Sequence, residues 1–449
     1  MFDIHPSARS NFDSKVRDLI DLVEEDKSDR SPKKQFQSDV FIASTISEAD
    51  VIGDIEESVS DYKGNTVGRF FVFDGKKYGL QGEKYEKLVA IAEKIQRLPA
   101  FSERLSRRFV EDCIYRWVKN KFTGAGPDND FITVLINEGE KSVSEFTMLV
   151  PISNLIVEVP FDFCGAVIKN LSETYVDRMA EGLGQESKEL VDRKNDFLDR
   201  FRRKYQGYAV VEVVLLCEPD YASEYCLDLA NKICDLLGIY SGAALMPDLK
   251  CASRPKGSES IPFYATINSS EGNITIKEGI LDVASSRTWF IRERDLDAFA
   301  QAGLGILSEL SLKEKLSSYE ETVLNLAFLY SKSAFTSDPL EKLVYILSAL
   351  ESTLLKNQSE PIQQNIAERM AFFICEDGGS RKEVIRNLKV VYGFRSQYLH
   401  HGHSIAELKE LSLFFKNFWA FFVCAINNYR YFRDKNHLIE FIDNKKFGG

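Results

Sequence analysis

Histidine is the scarcest chemistry-bearing residue in this chain, with five in 449 residues, and cysteine is present without pattern. The eight cysteines form no CxxC pair and no regular spacing, which argues against a zinc ribbon or a disulfide framework. Cys217, Cys234, Cys375 and Cys424 lie in apolar stretches and read as reduced core residues of a cytoplasmic protein. No G-x-x-x-x-G-K-[ST], G-x-G-x-x-G or H-E-x-x-H string occurs, so phosphate-loop, dinucleotide and zincin chemistry lose their usual signatures, and neither a cofactor nor a metal is expected. Long hydrophobic runs are also missing. The best candidate, Asn417 to Tyr429, is free of charge for 13 residues, too short for a spanning helix, so no membrane partner is expected. The opening Met1-Phe-Asp-Ile-His-Pro has neither a basic nor an apolar signal region. Basic residues are outnumbered: 57 Lys and Arg against 68 Asp and Glu give a net charge of −11, which disfavours indiscriminate nucleic-acid binding.

What is present suits a globular α+β chain of two or three domains, with 44% apolar and 28% charged residues. Residues 1–125 read as a helical and hairpin region. It has an amphipathic piece at Val16–Val23, a polar excursion at 24–37, a hairpin at 68–80 turning on Asp74-Gly75, and helices near 82–98 and 103–121. Residues 126–290 read as an α+β domain. Strands are expected at 131–136, 146–152, 155–159, 167–168, 208–217, 262–267 and 273–278, and helices at 173–205 and 220–238. From 291 to 449 the pattern is helical, with helices near 295–310, 313–333, 339–357, 361–376, 381–399 and 405–434. The last is striped by Leu408, Leu411, Phe415, Phe418, Phe422, Ile426 and Tyr429.

Three of the five histidines, His400, His401 and His403, crowd into Tyr392-Gly-Phe-Arg-Ser-Gln-Tyr-Leu-His-His-Gly-His403. Ser380 and Glu383 form a capping-box pattern, Gly402 is a helix stop, and Ser404 to Glu407 repeat the box for the next helix. The helix between carries Val384, Leu388, Val391 and Tyr398 on one stripe, and the missing member of that stripe is Arg395. Arg395 lies about 7.5 Å before His400 along the axis. A cation on a core stripe needs a partner. The helix opened by Asp338-Pro-Leu-Glu341 offers one, because its stripe of Leu340, Val344, Leu347 and Leu354 is interrupted by Glu351. Glu351 and Arg395 are expected to meet in a helical bundle. Two readings stay open: an ion pair that fixes helix register, or a site in which Arg395 forks onto a phosphate and His400 moves a proton.

Arg395-Ser-Gln-Tyr-Leu-His400 resembles the R-x4-6-H motif of the HEPN superfamily (higher eukaryotes and prokaryotes nucleotide-binding domains). Val391 to Gly402 is similar to the Apea-like branch, as are the Leu347–Leu355 helix with its Glu351 and the Ile366-Ala-Glu-Arg369 string. The likeness covers roughly 315–435; here His400 is followed by His401 before Gly402, where many relatives have glycine directly.

The resemblance implies a metal-independent endoribonuclease. Arg395 and His400 would be catalytic, Glu351 would orient one of them, and Ser396, His401 and His403 would face the substrate. It also implies a homodimer through the C-terminal helices and a setting of bacterial anti-phage defence. There the RNase would attack tRNA or another host RNA on a phage-derived trigger, with the first half as regulator. Two other readings are a non-catalytic HEPN module binding a nucleotide or protein, and a metal hydrolase built on the three clustered histidines. Charge is partitioned in a way that suits an anionic substrate: residues 380–449 carry 12 Lys and Arg against 6 Asp and Glu.

Overall fold

The structure is a computed structural model. It describes residues 2–26, 56–126, 129–181, 188–258, 263–270, 273–280, 288–357, 359–401 and 408–447. For 56, 179–181, 188–194, 263–270, 273–280, 397–401 and 447 it describes the backbone alone. The chain is an α+β protein in two compact units, Met1–Phe146 with Val214–Tyr225, and Thr147–Val213 with Cys226–Gly449. The boundaries read from sequence, at 125/126 and 290/291, do not coincide with this division, since 147–213 and every helix from 293 onward share a unit.

The first unit runs α1 (Pro6–Arg17), β1 (Glu24–Glu25), β2 (Glu56–Ser60), β3 (Thr66–Phe73), β4 (Lys76–Gln81), α2 (Glu83–Gln96), α3 (Arg107–Thr123) and α4 (Phe131–Ser142). Its antiparallel sheet has the order β1-β4-β3-β2. The β3–β4 turn places Asp74 and Gly75 at φ of 50° and 72°, the paired left-handed geometry for which Asp-Gly is suited. Phe71 and Leu80 from the sheet share one core with Leu88, Ile95, Ile114 and Val118 from the helices.

Three expectations here are corrected. The amphipathic piece at Val16–Val23 is the end of α1 followed by a single tight turn at Ile20–Leu22. Glu24 and Glu25 pair with β4, and the remainder of the polar excursion, from 27, lies outside the described residues. The strand expected at 131–136 is the helix α4. Its β-branched run suggested a strand, but Phe131, Ile132, Leu135 and Gly139 are buried at helical spacing, and the Asp13 carboxylate accepts the Ile132 N–H at 2.8 Å. Tertiary burial overrides the weak local preference.

The chain continues with β5 (Ser144–Ser153), β6 (Leu155–Val157), β7 (Phe161–Phe163), β8 (Ala166–Asn170), α5 (Glu173–Glu181), α6 (Lys188–Tyr205), β9 (Ala209–Cys217), α7 (Pro219–Gly238), β10 (Arg254–Pro255), β11 (Phe263–Ser270), β12 (Asn273–Ile280) and β13 (Trp289–Ile291), of which the start of β5, the end of β9 and the first part of α7 belong to the first unit and the rest to the second. The five-stranded sheet has the order β10-β5-β9-β8-β7; β11 and β12 form a hairpin, and β13 runs parallel to β6. The single helix expected over 173–205 is two, α5 and α6.

Glu218, 2% exposed, stands at the head of α7. It accepts N–H groups from Ser106 at 2.9 Å, Tyr221 at 2.8 Å and Asp220 at 2.7 Å. Truncation strands three donors, two of them on a buried oxygen. Glu218→Ala is therefore expected to cost about 2–4 kcal/mol, read from a urea midpoint; an unchanged midpoint contradicts this.

The helical region comprises α8 (Glu293–Gln301), α9 (Leu304–Leu312), α10 (Ser318–Ala334), α11 (Pro339–Leu354), α12 (Ile362–Ile374), α13 (Gly378–His401), α14 (Leu408–Asn427) and α15 (Lys435–Phe447). The helix expected at 295–310 breaks at Gly303, where φ is +93° and a Cβ would come within 2.7 Å of Ile426. The last helix ends at Asn427 rather than near 434, and α15 follows. Phe414, Phe415, Phe418, Phe421 and Phe422 of α14 are fully buried within the unit, and Phe418 packs edge-on against Tyr330 at 4.6 Å.

Lys342 is also fully buried. Its Nζ donates to the carbonyls of Ala243 at 2.6 Å, Met246 at 3.0 Å and Leu249, so one ammonium ties α11 to the 243–249 loop. Burial pulls Lys342 down to about 8, with Asp248 and Cys251 opposing. The thiols of Cys113, Cys164, Cys234 and Cys251, and the phenols of Tyr240 and Tyr330, are pushed up by burial.

The thiols and phenols ionise at about 8.5 and about 10 in an unfolded chain. Their stabilisation is whole below those values and is lost as pH rises toward the folded ones, at about 1.4 kcal/mol per pH unit for each group. Lys342 works in the opposite sense between about 8 and about 10.4, as one group against four thiols. Denaturant midpoints should hold near neutral pH and fall steeply from about pH 9; a flat profile to pH 10.5 contradicts this assignment.

Candidate functional site

The helix carrying the arginine–histidine string starts two residues before Ser380, correcting the expected cap. Asp377 caps it instead, accepting the Ser380 N–H at 2.9 Å. Val384, Leu388 and Val391 are buried as the stripe requires. A second set of contacts locks the helix laterally: buried Asn387 donates to the Glu410 carboxylate at 2.8 Å and its carbonyl at 2.9 Å, and accepts from Asn417 at 3.2 Å. Arg386 pairs with Glu410 at 3.2 Å. These bonds fix α13 against α14 one turn or more before Arg395.

Arg395 meets Glu351. Its Nη1 donates to Glu351 Oε1 at 2.6 Å, and the Tyr392 hydroxyl donates to the same oxygen at 3.3 Å. Burial first, then the Glu351 charge, pushes the Tyr392 phenol up, so it stays a donor at neutral pH. The arginine and glutamate side chains are 30% and 24% exposed, so the pair is neither sealed in the core nor free in water. One of five guanidinium donors is engaged, and among the described residues the remaining edge has no partner. A cation so placed, oriented by a carboxylate and open on one edge, can receive a phosphate through parallel hydrogen bonds. Ser396 is exposed beside it.

Comparison of the chain with protein-family models, curated proteins and solved structures returned no match. The site therefore rests on its own geometry.

The backbone of α13 carries His400 and His401 at its last two positions. Their side chains lie outside the described residues, as do Gly402, His403 and the Ser404–Glu407 box. No group of three potential metal ligands occurs among the described residues. No described helix is long and apolar enough to cross a membrane.

Arg369, the last residue of the Ile366-Ala-Glu-Arg369 string, is a hub. It is 6% exposed and donates to the Leu354 carbonyl and Glu360 at 2.7 Å each, and to Asp443 at 3.2 Å. It joins the end of α11, which carries Glu351, to α12 and α15. In the first unit, a cavity of about 990 Å³ is lined by seven carboxylates, including Glu86, Glu111 and Asp112, against Arg69, Arg107 and Arg108. Its charge is wrong for an RNA backbone, whereas the C-terminal stretch from 380 has a basic excess.

Proposed function

We propose that the chain is a metal-independent endoribonuclease of the HEPN type, with Arg395 and His400 as its catalytic pair. The observation that carries the reading is Arg395, 30% exposed, on the buried stripe of α13. Glu351, itself held by the Tyr392 hydroxyl, holds it from one side, five residues before a histidine at the helix end.

In this reading the ribose 2′-oxygen attacks the adjacent phosphorus and the 5′-oxygen leaves, giving a 2′,3′-cyclic phosphate and a 5′-hydroxyl. His400 takes the proton from the 2′-hydroxyl or supplies one to the leaving oxygen, and water carries the other proton. Arg395 binds the non-bridging oxygens as charge builds on them. Glu351 is a positioning residue, and Ser396, His401 and His403 are the substrate-binding residues of this reading.

The biological reading is a restrained effector of anti-phage defence, acting on tRNA or another host RNA in the cytoplasm, released by a phage-derived trigger and paired as a homodimer. A dimer through the C-terminal helices would draw on outward residues such as Leu408 and Leu413, because Phe415, Phe418 and Phe422 are consumed within the subunit. The competing reading takes the Glu351–Arg395 pair as a register device in a binding module.

The test is incubation of the purified chain, and of His400→Ala, with total bacterial RNA in excess EDTA, with and without phage-infected extract, followed by mapping of the ends. Cleavage by wild type alone, leaving cyclic-phosphate ends, is expected. Cleavage that appears only when EDTA is left out, or none with or without the extract, overturns the proposal.

A further inference from the structure

The turn between α14 and α15 presents an aromatic ring to solvent and holds it rigidly. Tyr431 is 58% exposed. Its ring lies nearly parallel to His437, at 5.9 Å and 22°. Phe432 and Phe441 meet it edge-on at 4.9 Å and 5.8 Å. Phe432, 4% exposed, anchors the cluster in the core. The turn is tied down as well. Asp434 accepts the His437 N–H at 2.9 Å, the His437 ring accepts the Arg433 N–H at 3.4 Å, and the Arg433 carbonyl accepts from Tyr319 at 3.2 Å.

An exposed tyrosine normally keeps its rotamer freedom; this one has lost it to three ring contacts, so little ordering cost remains when a flat ligand lands on it. Arg430 and Arg433 flank it. Arg430 is 75% exposed and leans on Glu309 at 3.2 Å, and Arg433 is exposed and carries no ion pair among the described residues.

A preorganised aromatic face between two arginines matches an unpaired nucleobase stacked on the ring with its neighbouring phosphates on the guanidinium groups. We propose that Tyr431 and His437, with Arg430 and Arg433, form a stacking platform for single-stranded RNA, a binding subsite separate from Arg395. This rests on the ribonuclease reading for its choice of RNA as the ligand. Tyr431 supplies base contact without sequence preference, since every base has a π-face, and the arginines supply the salt-dependent part.

The experiment is fluorescence anisotropy of the full-length protein with a labelled 12-nucleotide oligouridylate and with its abasic analogue, in EDTA. Cleavage is followed in parallel and oligomeric state is checked by gel filtration. Tyr431→Phe should bind as wild type. Tyr431→Ala should bind the oligouridylate about 5- to 100-fold more weakly but the abasic strand unchanged. Arg433→Ala should weaken both and lower the salt slope by about 0.7.

Equal oligouridylate affinity in wild type and a folded Tyr431→Ala overturns the platform, as does a wild type that binds neither strand. A Tyr431→Ala variant that changes oligomeric state and not RNA affinity makes the surface a self-interface, which also overturns it. Tyr431-dependent binding without cleavage, even of total RNA in phage-infected extract, would keep the platform and remove the ribonuclease reading. Cleavage indifferent to Tyr431 would do the reverse.

Discussion

Arg395→Ala is expected to lower the rate of RNA cleavage by about 10²- to 10³-fold, the loss typical of removing one donor aimed at developing oxyanion charge. That corresponds to about 3–4 kcal/mol of barrier. The stability cost should be much smaller. The Glu351–Arg395 pair is about a quarter to a third exposed, so solvent screens it, and such pairs contribute about 0–1 kcal/mol. Tyr392 also remains to satisfy the glutamate. Arg395→Lys should recover little activity, because an ammonium cannot make the parallel bonds of the guanidinium fork. Glu351→Gln keeps the shape of the pair and removes its charge, so it should lose less than Arg395→Ala. Measuring kcat and the denaturant midpoint on the same preparations separates the two readings of the pair. A register device would show equal stability losses for Arg395→Ala and Glu351→Ala, with cleavage following only the fraction folded. That outcome would remove Arg395 from the catalytic machinery.

Arg395 and Glu351 were legible because each interrupts an apolar stripe, and the two interruptions have opposite sign. Lys342 interrupts a stripe as well, with Ile346, Ala349 and Thr353 buried at steps of four, three and four. It does not stand out in sequence because α11 is buried around most of its circumference, and the stripe through Leu340 and Leu354 is as apolar as the one through Lys342. The partner of Lys342 is also invisible in sequence: three backbone carbonyls near residue 245 leave no side-chain signature. The Asp74-Gly75 hairpin was legible because its geometry is local. The α4 segment was not, because Ile132, Thr133, Val134 and Ile136 favour a strand locally and only the burial of Phe131, Leu135 and Gly139 reveals the helix. Ser380 and Asp377 are both good capping residues three apart, and sequence alone does not choose between them. The histidine end of α13 was readable as chemistry from its residue types, while its side-chain geometry lies outside the described residues.

The largest stability effect is expected at Arg369, which could have been suspected from its place between Ile366 and Met370 on the buried face of α12. Its guanidinium is nearly sealed and satisfies a carbonyl and two carboxylates, on the α11 end, the following loop and α15. Replacing it by alanine leaves the Leu354 carbonyl without a donor and takes from Glu360 and Asp443 the cation they share, Lys356 remaining only on Asp443 at 3.2 Å. Breaking a buried pair on one side costs about 3–5 kcal/mol, a large part of the stability of an ordinary domain. The Glu360 carboxyl is held below its usual range first by its bond to Arg369, so the stabilisation is present at neutral pH and is lost as the pH falls through the folded value. Arg369→Ala should therefore lower the unfolding midpoint sharply at pH 7 and much less at acidic pH. Arg369→Met, which restores volume but no donor, should rescue only in part. In the double variant Glu360→Gln with Arg369→Met the carboxylate repulsion is gone, and part of the loss should return. Because Arg369 braces the end of α11, its loss should also reduce RNA cleavage by loosening Glu351. Cleavage should recover with the midpoint in the double variant, whereas no repair chemistry at 369 should rescue Arg395→Ala. An Arg369→Ala protein with an unchanged midpoint would show that α11, α12 and α15 are held together by their apolar faces alone.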